Sequence, residues 1–321
     1  MEKVIIFSIF GFLFSLIGTK YLKEYLERKK VFDIPNERSS HTKPIPKGGG
    51  WIIVLCIIVV KFFSEGGFSL PSFAMYLSII GLAILSWIDD IKNVRVITRL
   101  LFQFLIIFLL FFSITGAGFA VYTNFFVTLL FVWFINIFNF MDGIDGITPS
   151  VTITLILGVL VIRSLELYPT NWIFEFGIIF SCLAFLFWNW HPAKIFLGDV
   201  GSISLGFACG TLLLTPIIYG KWEVISLIMY YVLDTSLTLI NRFMAGKKVW
   251  QAPRLHFSQH AVKTGLDHGQ VVRHVLFVDL LLVALAVAAA RGWGWASLIC
   301  SGVAVSWLLF FLSGDHPARK E

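Results

Sequence analysis

Apolar residues in this chain are gathered into long blocks, with short polar stretches between them. A helix needs about 20 apolar residues to cross the hydrocarbon of a bilayer. Runs of about that length lie at 4–21, 49–63, 71–88, 99–115, 119–138, 148–164, 172–188, 200–219, 223–241, 274–290 and 294–312. The pattern therefore predicts an all-α polytopic membrane protein of about eleven transmembrane helices. The longest polar stretches, roughly 22–48 and 242–273, are too short for a soluble domain, so 1–321 reads as a single integral-membrane domain. The first run, VIIFSIFGFLFSLIG, has no small-residue cleavage site and leads into YLKEYLERKK. It is expected to stay as a span rather than to be removed as a signal peptide. Neither the short-period alternation of a membrane barrel nor a solenoid repeat is seen.

Composition agrees: 58% of the 321 residues are hydrophobic and 14% are charged, against about 25% charged in a soluble domain. The net charge of +6 would suit nucleic acid only if the cations shared a soluble surface. Instead they mark topology. Of the 25 Lys and Arg, only Lys3, Lys61, Arg163, Lys221 and Arg291 fall on one side of the predicted spans. The rest fall on the other side, which puts the N-terminus outside, the C-terminus in the cytoplasm and the protein in the cytoplasmic membrane. No nucleic-acid partner is expected. Cys56, Cys182, Cys209 and Cys300 all sit inside apolar runs without metal-type spacing and read as small buried residues.

Polar chemistry is crowded onto the predicted cytoplasmic face. It lies in FDIPNERSSHTKPIPKGGG (32–50), WIDDIKNVRVITR (87–99), NIFNFMDGIDG (136–146), NWHPAKIFLGDVGS (189–202) and NRFMAGKKVWQAPRLHFSQHA (241–261). Asp89, Asp90, Asn136, Asn139, Asp142, Asp145 and Asp199 supply hard oxygen atoms, which suit Mg²⁺ or Mn²⁺. Lys47, Arg95, Arg99, Arg254, His256 and His260 suit phosphate oxygens. Gly48, Gly49 and Gly50 open a span, where bare amides at a helix N-terminus could face an anion. Oxygen ligands beside phosphate cradles point to phosphoryl transfer at the membrane surface. A transporter would place such groups nearer the bilayer midplane. HFSQH has the i, i+4 histidines of half a zinc site but no third ligand close in sequence. Two carboxylates fall within spans, where an ionisable group is a functional suspect. Asp234 is expected near the cytoplasmic end, supporting the site from behind, and Asp279 lies deeper.

DDIKN, NIFNFMDGIDG and FLGDVGS, in that order, resemble the D-D-x-x-D/N, N-x-x-N-x-x-D-G-x-D-G and G-D-x-G-S motifs of the polyprenyl-phosphate N-acetylhexosamine-1-phosphate transferases. The likeness runs from about residue 32 to 261. It implies transfer of a sugar 1-phosphate from a UDP-N-acetyl-hexosamine to undecaprenyl phosphate, with Mg²⁺ and release of UMP. It also implies roles. Asn139 and Asp199 would hold the metal. Asp89 would act as base or positioner, with Asp90 supporting the metal. Asp142 and Asp145 would complete the catalytic pocket. Asn136, Lys47, Gly49, Arg99, Asp234, Arg254, His256 and His260 would contact or support the substrates. The first loop and the late H-x-x-Q-H resemble the branch that starts O-antigen with UDP-N-acetyl-fucosamine-type donors. Peptidoglycan or teichoic acid precursor transfer is the alternative within the family. Membrane lipid surrounds the protein, and a homodimer is an allowed assembly.

Overall fold

The computed structural model describes residues 1–35, 43–65, 69–92, 94–115, 121–165, 172–246 and 256–314. Among them, eleven long helices follow the eleven apolar runs. They are α1 (Glu2–Arg28), α2 (Gly50–Glu65), α3 (Leu70–Lys92), α4 (Val96–Thr115), α5 (Val121–Met141), α6 (Ile147–Leu165), α7 (Trp172–Asn189), α8 (Gly198–Ile218), α9 (Met229–Met244), α11 (His268–Ala288) and α12 (Gly294–Ser313). A 3₁₀ segment, Trp222–Ile228, leads into α9, and α10 (Phe257–Lys263) is a short helix beside the site. Nine helical runs are long and apolar enough to cross a membrane. The last of these, His268–Ser313, folds back on itself where Gly292 takes φ +105°, so that α12 returns against α11. The remaining helix, α2, has 16 residues. The protein is a multi-pass membrane protein.

Helix α8 is the axis of the bundle. Helices α2, α3, α5 and α6 pack around it, α1 lies along α7, and α4 leans outward against α3 and α5. Small residues make these approaches possible, because lipid tails are as apolar as leucine and helices in a membrane gain mainly from close packing. Gly50 meets Gly201 backbone to backbone where α2 crosses α8, leaving no room for a Cβ. Gly206 and Gly210 on α8 accept Phe138, Phe131 and Phe134 of α5 in the same way. Large side chains such as Phe187, Phe277 and Phe310 point outward, as a lipid-facing surface requires.

At one end of the bundle the loops are stitched to each other by backbone bonds. Phe32–Asp33 (β1) pairs antiparallel with Ile45–Pro46 (β2), and Lys47 bridges in parallel to Phe196. The Gly48 and Gly49 amides donate to Phe196 O at 3.2 and 2.9 Å, and Gly50 N donates to Leu197 O at 2.8 Å. The amides of these three glycines therefore bind residues 196–197. Their smallness serves the α2–α8 crossing.

At the opposite end, Arg163 of α6 pairs with Glu175 of α7 at 2.8 Å and donates to Leu212 O of α8 at 2.7 Å. Both side chains are buried.

Candidate active site

Two ionic clusters occupy the stitched end. The first is built from the ends of α3 and α5, the starts of α4 and α8, and the strand before α2. Lys47 Nζ lies 2.6 Å from Asp90 Oδ1 and 3.9 Å from Asp199 Oδ1. Arg99 Nη1 lies 2.5 Å from Asp89 Oδ2 and 3.6 Å from Asp199 Oδ2. Asp199 is thus the carboxylate shared by both cations. It stands in the first turn of α8, where the positive helix end favours a negative side chain. Gly198, at φ +75°, makes the turn that puts it there. Asn139 donates to Asp199 Oδ2 at 3.3 Å, and Ser202 Oγ donates to Asn139 Oδ1 at 2.9 Å. Burial alone would lower the Lys47 pKa, but the carboxylates of Asp199 and Asp90 outweigh it and raise it, so the ammonium persists.

The two neighbouring aspartates differ. Asp89 is saturated: Oδ1 accepts Val94 N at 2.7 Å while Oδ2 holds Arg99. Asp90 gives one oxygen to Lys47, and its Oδ2 is buried with no hydrogen-bond partner. Asn136 donates to Gln103 Oε1 and Val132 O, both at 2.7 Å, and its own Oδ1 is buried and unpartnered.

This cluster closes one end of a cavity of about 860 Å³. Lys47, Asp89, Asp90, Arg99, Asn136 and Asp199 form its polar part, while Leu100, Phe104, Phe125, Leu129, Trp133 and Phe140 line the rest between α4 and α5. A charged mouth on an apolar groove inside a membrane bundle suits an amphiphile with an anionic head.

The second cluster lies on the DGIDG turn after α5. Asp145 is buried and fully engaged. Its Oδ2 is 2.7 Å from His191 Nδ1 and accepts Ala193 N at 3.1 Å, while its Oδ1 is 3.2 Å from His268 Nδ1. Burial would raise the Asp145 carboxyl, but hydrogen bonds from His268, His191 and the Ala193 amide outweigh this and hold it below its ordinary range. These contacts tie Asp145 to the turn it stands on. Gly146 N donates to Asn189 Oδ1 at 3.1 Å, which fastens the same turn to the end of α7. His191 and His268 join this cluster without having been singled out in the sequence. His191 stood in the polar 189–202 loop, which was the only signal for it. His268 adjoins an Asp cap at a helix start and reads there as capping chemistry.

Burial raises Asp142, on the same turn, to about 7, with the carboxylates of Asp199 and Asp90 adding to it and Thr148 and Lys47 opposing. An acid whose pKa rises on folding binds protons more readily in the native state, so stability falls as pH rises. The expected result in metal-free buffer is a melting temperature that drops between about pH 4 and 7 and then levels off. Asp142→Asn should flatten part of that slope, as scanning fluorimetry across pH would read.

The late loop is partly behind the site. His256 Nδ1 bonds Asp234 Oδ1 at 2.9 Å, both groups being buried. Asp234 is fully enclosed, so it supports His256 and is not a substrate contact. Among the described residues, the Nε2 of His256 and the Nδ1 of half-buried His260 have no hydrogen-bond partner. Gln259 spans from His256 N (3.1 Å) to Gly143 O (3.5 Å), laying α10 on the DGIDG turn. Arg254 lies outside the described residues. Asp279 Oδ2 accepts Thr154 Oγ1 at 3.1 Å between α6 and α11, and its Oδ1 is buried without a hydrogen-bond partner among the described residues.

Residues 72–217 match the model of glycosyl transferase family 4. That stretch carries Asp89, Asp90, Arg99, Asn139, Asp145, His191 and Asp199. The match and the relatives below support a glycosyl-1-phosphate transferase. It is similar to a probable undecaprenyl-phosphate N-acetylglucosaminyl 1-phosphate transferase of Bacillus subtilis, at 24% identity over 93% of this chain and 88% of that one. The phospho-N-acetylmuramoyl-pentapeptide-transferase of the same organism is 29% identical, over 89% of this chain and 98% of its own. The Hydrogenobaculum transferase of that name is 26% identical, over 90% and 93%. These relatives and the apolar helices make it an enzyme of the bacterial cytoplasmic membrane. The multi-pass fold expected from the apolar runs is met, and the family model that matches is the one the motifs resemble. The relatives' names concern N-acetylglucosaminyl and N-acetylmuramoyl-pentapeptide transfer rather than an O-antigen fucosamine donor.

Proposed function

We propose that this transferase moves an N-acetyl-hexosamine 1-phosphate from its UDP-sugar to undecaprenyl phosphate, releasing UMP. The observation that carries the reading is the ionic cluster of Lys47, Asp90, Arg99 and Asp199 at the mouth of the apolar groove. The polyprenyl chain occupies the groove between α4 and α5, and its phosphate meets Arg99 and Lys47. The nucleotide sugar lies toward the DGIDG turn and α10, with His256 Nε2 and His260 directed to the diphosphate. The count of cations across the spans puts this end of the bundle in the cytoplasm.

The residues present fit a divalent cation. Asp199 and the orphaned Oδ2 of Asp90 are oxygen donors of the kind Mg²⁺ or Mn²⁺ takes, and Asn139, which now turns its NH2 to Asp199 and its Oδ1 to Ser202, would add its carbonyl on turning over. When bound there, the ion supplies charge neutralisation between two anionic substrates. The chain's own groups do the rest. Arg99 and Lys47 draw the acceptor phosphate to the donor and offset its charge. An oxygen of the acceptor phosphate attacks the β-phosphorus, the bond from that phosphorus to the UMP oxygen breaks, and UMP leaves with the electron pair. The acceptor is already anionic, so direct attack needs no covalent enzyme intermediate. Asp89, tied to Arg99 and to the α3–α4 turn, orients that arginine rather than accepting a proton.

The donor is an N-acetyl-hexosamine, and the product starts a cell-surface polysaccharide. The H-x-x-Q-H sequence of α10, with Gln259 on Gly143, favours an O-antigen-type initiator over the peptidoglycan precursor enzyme. Purified protein should be offered UDP-GlcNAc, UDP-FucNAc, UDP-QuiNAc and UDP-MurNAc-pentapeptide in turn. The expected result is turnover of a UDP-HexNAc and none of the pentapeptide donor; preference for the pentapeptide donor would replace this reading with the peptidoglycan one.

A further inference from the structure

The Asp145 cluster joins three parts of the chain that are far apart in sequence: the DGIDG turn, the loop after α7 and the first residue of α11. Helix α11 is started by a reciprocal cap. Gln270 N donates to Asp267 Oδ1 at 2.7 Å, and Asp267 N donates to Gln270 Oε1 at 2.8 Å. That cap fixes His268 at the first helical position, buried and facing the turn. Its Nδ1 lies 3.0 Å from Asp145 N and 3.2 Å from Asp145 Oδ1. A neutral imidazole with its proton on Nε2 accepts the amide there, and an imidazolium donates to the carboxylate. Either state grips the same residue. The His191 ring lies against the His268 ring, with centroids 4.6 Å apart, and takes the other carboxylate oxygen.

These three groups also have the spacing of a metal site, with ligand atoms within 4.8 Å of one another. However, the Asp145 amide already points at the one lone pair that His268 Nδ1 would lend to an ion. Releasing that amide would leave a buried N–H unpaired, at a cost of about 1–3 kcal/mol. In either protonation state the His268 ring bonds Asp145, and the cluster reads as a clamp.

We propose that His268, backed by His191, is a positioning residue that holds the 142–146 turn in the shape the nucleotide sugar binds. The inference rests on the donor site proposed above. His268→Ala removes the clamp. His268→Asn returns an acceptor oxygen at the same distance from the backbone as Nδ1. The expected result is a donor KM raised on the order of tenfold in His268→Ala, the equivalent of one well-made hydrogen bond. The acceptor KM and kcat should stay within about twofold, and His268→Asn should recover most of the donor KM. A general loss of packing would instead move kcat, both KM values and the melting temperature together and would not be rescued by asparagine; that pattern overturns the proposal. Hydrogen exchange gives a reading independent of turnover. Protection of the Asp145 amide should fall selectively in His268→Ala and return in His268→Asn, and unchanged protection would contradict the clamp. Zinc retained one per chain by the wild type and lost from His268→Ala would also overturn it, in favour of a metal centre. Absence of any turnover by the wild type, with the exchange pattern as expected, would defeat the donor-site reading and leave the clamp standing.

Discussion

Asp199→Asn should reduce turnover by at least about 10²–10³-fold, the usual cost of removing one group aimed at developing charge in a transferase site. The change is isosteric and keeps a polar group beside Asn139. It removes the single negative charge that Lys47 approaches at 3.9 Å and Arg99 at 3.6 Å. Both cations would then relax toward Asp90 and Asp89, their nearer partners, and withdraw from the acceptor phosphate. The melting temperature should change little, because Asp199 is partly exposed and its partners keep their other bonds. Steady-state kinetics with thermal melting on the same preparation checks both halves of this expectation. Activity close to wild type would remove Asp199 from the centre of the site.

A second large effect is expected at the far end of the bundle, in stability rather than in rate. Glu175→Gln or Arg163→Met alone should cost about 3–5 kcal/mol, because each removes the opposite charge from a buried partner that stays ionised. Replacing both together with apolar residues of similar volume should recover most of the loss, since the desolvation cost of both ions disappears with them. The pair bridges α6 and α7 directly and reaches the α8 carbonyl of Leu212, so the single variants should loosen three helices at once. Thermal unfolding in detergent for the two single variants and the double variant forms the cycle. A double variant as unstable as the sum of the singles would mean the pair does more than neutralise itself. Catalytic constants of folded protein should be unchanged in all three, since the pair lies at the opposite end from Asp199.

The helices were legible because a bilayer leaves so few ways to satisfy a backbone: an apolar run of sufficient length is a helix. Even the α11–α12 hairpin was foreseen as two spans, because RGWGW interrupts the run and Gly292 can take a positive φ. The grouping of Lys47, Asp90, Arg99 and Asp199 was legible in outline from the side of the membrane each loop shares. What the chain could not disclose by spacing is which group spends its bonding capacity on the fold. Gly48 to Gly50 looked like an anion cradle, yet their amides are used by Phe196 and Leu197. Asp145 read as one of the catalytic carboxylates, and the structure adds that His191, His268 and Ala193 all hold it. His268 lies 123 residues from Asp145 along the chain, a pairing set only by how α11 docks on the turn.

The central claim is transfer of sugar together with its phosphate, and a donor labelled with ³²P in the β-phosphate tests it most directly. With undecaprenyl phosphate, Mg²⁺ and an accepted UDP-N-acetyl-hexosamine, the label should move into the lipid phase while unlabelled UMP appears in water. Label left in water as UDP beside a lipid-linked sugar would mean that the sugar alone is transferred, which would contradict the account.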